Sequence, residues 1–169
     1  MLKYTCTLLF YFLLFSALAQ DTTTMPIDLQ RLETCINKTT TQVSNTLVTE
    51  GWKLNAELTG SVDGDSYRTF SFGNMETDQK KAIAWLRIHS AGSPVNRVYY
   101  QAPDEASFLQ LVEEIKSRNT TASLPQTIEG QTLIIYTGDE FAYQTIVAGD
   151  TFTVVVISKK FLAAHTAPQ

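Results

Sequence analysis

Residues 82–101 read AIAWLRIHSAGSPVNRVYYQ, and the fold turns on this stretch. Ala82, Ala84, Leu86 and Ile88 alternate with Ile83, Trp85, Arg87 and His89, and past Ser90-Ala91-Gly92-Ser93-Pro94, Val98 and Tyr100 alternate with Arg97 and Tyr99. Successive side chains of a strand point to opposite faces, so a period of two marks strands with one side on a core. The Gly-Ser-Pro loop between them makes the pair an antiparallel hairpin. The more uniformly apolar set, Ala82, Ala84, Leu86, Ile88, Val98 and Tyr100, is the core side. The other face gathers Ile83, Trp85, Arg87, His89, Arg97 and Tyr99. Pairing Ala82–His89 with Val95–Gln101 across the loop sets Trp85 opposite Tyr99 and Arg87 opposite Arg97, and like charges directly opposite are unfavourable. That face is therefore expected to be a cationic, aromatic patch.

Working outward, Trp52, Leu54, Ala56 and Leu58 alternate against Lys53, Asn55 and Glu57, a half-buried strand that ends in the turn residues Ser61 to Asp65. Tyr67 to Phe72 make a second strand, and a polar loop runs from Gly73 through Lys81. Upstream, Leu29, Leu32, Ile36, Val43 and Leu47 recur at spacings of three, four and seven, which predicts one helix from Ile27 to Thr49, weakened by the β-branched Thr39-Thr40-Thr41 and closed by Gly51. Downstream, Ala102-Pro103-Asp104-Glu105 opens a second helix that runs to Arg118 and carries Phe108, Val112 and Ile115 on one stripe. Three strands follow a polar loop: Thr132–Thr137, Phe141–Val147 and Thr151–Ser158, joined at Gly138-Asp139 and Gly149-Asp150. The fold class is α+β: an antiparallel sheet of about seven strands with two helices on one face, in an order that fits two helix-plus-β-meander repeats.

The ends of the chain speak to compartment. Met1-Leu2-Lys3, an apolar run from Leu8, and the small residues Ala17-Leu18-Ala19 have the order of a cleavable signal peptide over residues 1–19, with cleavage near Ala19-Gln20. The run is too short for a membrane span, which takes about 20 apolar residues, so no stable anchor is expected after cleavage. A flexible leader at 20–26, one domain at 27–160 and a flexible tail at 161–169 complete the layout. The protein is expected to be secreted or periplasmic.

Removal of residues 1–19 takes Lys3 with it and leaves 12 basic against 17 acidic residues. An acidic chain without a basic block argues against nucleic acid, whose affinity comes mainly from phosphate neutralisation. Cys35 is then the only cysteine, so no disulfide can form within the chain, and its place beside the helical stripe reads as a buried free thiol. The sequons Asn37-Lys38-Thr39 and Asn119-Thr120-Thr121 are weak signals, the first lying inside the expected helix.

No motif for catalysis, a metal or a cofactor emerges. The two histidines are far apart, and Asp63-Gly64-Asp65 lacks the later glutamate of a calcium loop and reads as a turn. Gly60-Ser61-Val62-Asp63-Gly64 has its serine second, not third, so it is not a nucleophile elbow. The sequence therefore points to an exported, non-catalytic soluble binding or interaction protein. One alternative is a carrier of a small apolar ligand, with a cavity between helices and sheet lined by Phe70, Phe72, Tyr100 or Phe152. A second is a hydrolase whose residues converge only in space. The candidate binding residues are Trp85, Arg87, Arg97 and Tyr99, because aromatics and arginine dominate binding hot spots and a guanidinium forks onto carboxylate or phosphate. The partner is expected to be another protein or an anionic ligand. The plainer reading of the same residues, each arginine lying over a ring at the solvent face, is worth about 0.5–1 kcal/mol.

Overall fold

The computed structural model describes residues 27–73 and 82–166. The expected signal peptide and leader, most of the polar loop before the hairpin and the last three residues lie outside them. Among the described residues no helix is long and apolar enough to cross a membrane.

The single long helix expected at 27–49 is instead two, α1 (Leu29–Glu33) and α2 (Thr40–Thr49). Local polar side chains favour the break. Asn37 takes a left-handed backbone (φ 67°), which asparagine tolerates better than most residues, and Thr39 caps α2 in a reciprocal box with Gln42. The backbone released from helical bonding is paired elsewhere: Asn37 N–H donates to Val95 O at 2.9 Å, and Val95 N–H donates to Lys38 O at 2.8 Å. Asn37 thus stands exposed in a turn, not inside a helix. The apolar stripe survives the break, with Leu29, Leu32, Cys35, Ile36, Val43 and Leu47 all buried.

Among the described residues one antiparallel sheet of nine strands, two more than expected, carries the rest. The first half is a meander of β1 (Lys53–Val62), β2 (Asp65–Phe72), β3 (Ala84–Ala91) and β4 (Arg97–Gln101). After α3 (Glu105–Ser117) come β5 (Thr121–Ala122), β6 (Gln126–Ile128), β7 (Gln131–Thr137), β8 (Phe141–Ala148) and β9 (Thr151–Ser158). β5 and β6 are the additional strands, short exposed pieces of the expected polar loop that both pair with β7. The halves join in the middle, where β4 pairs with β9 and sets Val98 opposite Val156 and Tyr100 opposite Val154.

α1, α2 and α3 bury their apolar stripes in one core with the inner face of the sheet, where Phe70, Leu86, Ile88, Val98 and Tyr100 are each no more than 1% exposed. Leu32, Ile36, Val112 and Ile115 all lie in that core. Rings fill the region under the helices: Phe108 packs on Phe152 at 5.4 Å and Trp52 on Phe72 at 5.5 Å between centroids. The tail expected to lack pattern is helical as α4 (Lys159–Thr166), and its Phe161 lies against Arg97 on the opposite side of the sheet. Among the described residues the helices thus number four, not two.

β1 departs from its half-buried reading. Trp52, just before it, is buried, but Leu54 and Leu58 are 46% and 43% exposed. β1 is the edge of the sheet, and a register shift between Asn55 and Gly60 breaks its period of two.

Candidate functional site

The face of β2, β3 and β4 turned away from the helices carries Tyr67, Trp85, Arg87, His89, Arg97 and Tyr99. The alternation read from sequence holds: the inner members of the hairpin are buried, while these outer ones are half-buried. The register differs by two residues. Trp85 faces Gln101, Arg87 faces Tyr99 and His89 faces Arg97. A slip of two leaves every side chain on its expected face, whereas a slip of one would have exchanged the faces. Its cause lies in the loop. β3 continues to Ala91, Asn96 N–H donates to His89 O at 2.9 Å, and Val95 pairs with the α1–α2 break instead of extending β4. The expected clash of Arg87 with Arg97 is thereby removed, and each arginine meets an aromatic or imidazole ring across the strands.

At the loop end, the two-residue turn Asp63-Gly64, with φ of 51° and 80°, starts β2 so that Asp65 reaches this face. Asp65 Oδ2 is ion-paired with Arg97 and lies 3.2 Å from His89 Nδ1. His89 is packed between Tyr67, stacked at 5.5 Å, and Tyr99, tilted at 5.0 Å. Burial, with Arg87 as a second cause, holds the imidazole below its ordinary pKa of 6.5. It is therefore neutral at pH 7, with Nδ1–H donating to Asp65, while Arg97 carries the charge that balances the carboxylate. Asp65 Oδ1 is buried with no hydrogen-bond partner among the described residues.

Arg87 is held differently. Its Nε donates to Thr69 Oγ1 at 2.9 Å, Thr69 in turn donates to Leu58 O at 2.6 Å, and the guanidinium lies 5.2 Å from the centre of the Tyr67 ring. The hydroxyl relay fixes the plane of the guanidinium while leaving its terminal nitrogens without a hydrogen bond among the described residues. Among the described residues no acid lies within ion-pair distance of Arg87. Arg31, Arg97 and Arg118 each have one, in Glu50, Asp65 and Glu33. Arg68 also lacks an acid, but it donates to Ser44 of α2 on the helix side of the sheet.

Two open clefts meet at Arg87. The larger, about 610 Å³, is lined by Asp63, Asp65, Tyr67, His89, Arg97 and Phe161 among others. The smaller, about 340 Å³, is lined by Leu58, Thr69, Trp85, Tyr99, Gln101 and Thr153, and Arg87 belongs to both. Of the residues singled out in the sequence, Trp85, Arg87 and Tyr99 come together in the smaller cleft and Arg97 lies in the larger. Asp65, Tyr67, Thr69 and Phe161 carry no sequence signal for this role, because each depends on which strand or helix becomes the neighbour.

A carboxylate on imidazole Nδ1 is also how hydrolases orient a general base. Among the described residues the ring contacts of His89 are Asp65, Tyr67 and Tyr99, with no serine, threonine or cysteine among them. Cys35 lies buried in the core on the far side, and burial pushes its thiol pKa up, away from the reactive thiolate. Among the described residues no group of three or more His, Cys, Asp or Glu side chains is gathered as a metal ion would need. Comparison with protein-family models, with curated proteins and with solved structures returned no match.

Proposed function

We propose that this is an exported, non-catalytic binding protein of the periplasm or extracellular space, and that its ligand site is the outer face of β2–β4, where Arg87 receives an anionic group. One observation carries the reading: Arg87 is oriented by the Thr69 relay yet has no acid to balance it among the described residues, in a cleft with aromatic walls. Orientation without neutralisation suits a guanidinium that takes its counter-charge from a ligand, since charge-assisted forks onto carboxylate or phosphate are among the stronger hydrogen bonds. An overall net charge of −4 makes this a local attraction, not a general affinity for anions.

The test is to follow arginine Nε and tryptophan Nε1 resonances of the processed protein during titration with acetate, benzoate and inorganic phosphate. At least one of these anions is expected to shift Arg87 Nε, and the shift should vanish in Arg87→Gln with the rest of the spectrum retained. Arg87 Nε unmoved by all three, or shifts elsewhere that are identical in the variant, would remove the site.

A further inference from the structure

Resting on that reading, we infer that the smaller cleft takes a monoanion of one kind, a carboxylate on an aromatic body, with the carboxylate on Arg87 and the ring against Trp85 and Tyr99. The two clefts that share Arg87 differ in charge. The larger also carries Asp63, Asp65 and Arg97, so an anion there faces two carboxylates, and its second cation is already occupied by Asp65. Among the described residues Arg87 is the only charged one lining the smaller cleft, and Thr69, Gln101 and Thr153 are neutral.

The placement of the rings follows from the register. Trp85 is two residues before Arg87 on β3, one repeat of the strand and roughly 7 Å along the same face. Tyr99 lies directly across from Arg87 on β4. Leu58, on the edge strand, adds an exposed apolar wall. A flat ring set between these walls gains offset or edge contacts with two aromatic side chains, while a group projecting from it reaches the terminal nitrogens of Arg87.

Charge and size narrow the ligand further. One guanidinium, with no second cation among the described lining residues, balances a single negative charge, which fits a carboxylate better than a phosphate dianion. The planar carboxylate also matches the two-pronged donor geometry of arginine. A volume of about 340 Å³ is near the lower end of the roughly 300–1,000 Å³ that ligand pockets span, so the body is one or two rings and not a polymer.

The experiment is calorimetric titration of the exported protein with 2-naphthoate, with its neutral isostere 2-naphthamide, with acetate and with inorganic phosphate. One equivalent of 2-naphthoate is expected to bind, and the amide to bind about tenfold or more weakly, as loss of a hydrogen bond between charged groups implies. Arg87→Gln should lower 2-naphthoate to the level of the amide and leave the amide unchanged, whereas Trp85→Leu should weaken both. Should Arg87→Gln not fold, Arg87→Lys keeps the charge without the fork and should bind 2-naphthoate between the wild-type and amide levels. Equal binding of carboxylate and amide, or 2-naphthoate binding indifferent to the change at Arg87, overturns the inference. Acetate or phosphate shifting Arg87 Nε while 2-naphthoate fails to bind also overturns it, and in that case the anion site itself stands.

Discussion

The two faces of the β3–β4 hairpin come from one short stretch of chain and are held by different physics. Inward, Leu86, Ile88, Val98 and Tyr100 are sealed under three helices, and their contribution is the removal of apolar surface from water. Outward, Trp85, Arg87, His89, Arg97 and Tyr99 remain half-buried, and their contacts are specific pairs: an ion pair, a neutral imidazole hydrogen bond, and arginines over rings. Inner residues are replaceable by apolar groups of similar volume. Outer ones are fixed by geometry, and at Arg87, which has no acid among the described residues, our proposal draws the counter-charge from a ligand.

Substitutions that separate these two kinds of interaction test the contrast. The largest effect is expected inside: Ile88→Ala removes a fully buried side chain and should lower stability by about 2–5 kcal/mol, read from urea denaturation. A loss under 1 kcal/mol would mean that the core closes around the gap or that the face assignment is wrong. Next, Asp65→Ala leaves Arg97 and His89 without their acceptor in a half-buried setting and should cost about 1–3 kcal/mol in the same assay. Arg87→Gln gives up a contact with Tyr67 and the hydrogen bond to Thr69 but breaks no ion pair among the described residues, so its cost should be about 1 kcal/mol and below that of Asp65→Ala. If Arg87→Gln proved more costly than Asp65→Ala, Arg87 would be a structural member of the face.

The smallest effect is in pH. His89 binds a proton less readily when folded than when unfolded, since burial first and Arg87 second disfavour its charged form. Its contribution is therefore fully present above the ordinary imidazole value of 6.5 and declines as pH falls through the depressed folded value, where only the unfolded chain has taken up the proton. Urea midpoints measured from pH 8 down to pH 5 should fall, and His89→Asn should flatten that slope. An identical slope in the variant would assign it to other groups.

How much of this was legible depends on the range of the interaction. The faces of the hairpin follow from alternation within a strand, a local property, so Trp85, Arg87, Arg97 and Tyr99 were placed correctly with respect to the core. Their register was not legible, because Val95 gives its backbone to residues 37 and 38, far away in sequence. The same holds for the two pairings that make the site what it is: Arg97 with Asp65 requires β2, β3 and β4 to be neighbours, and Arg97 with Phe161 requires a tail helix with no clear apolar period. The helix break at Asn37 could have been suspected from Asn37 and the run Thr39-Thr40-Thr41, residues that favour turns and caps over helix interiors. β5 and β6 are too short to carry a period at all.

The pairing of β4 with β9 orders events as well as space. β9 is the last strand of the chain yet lies in the middle of the sheet, so until residue 158 has emerged β4 keeps an open edge and the first half lacks its neighbour. Closure of the central seam must wait until residues 151–158 have left the ribosome. Under the export we propose, such a delay would keep the chain extendable until its central seam closes on the far side of the membrane.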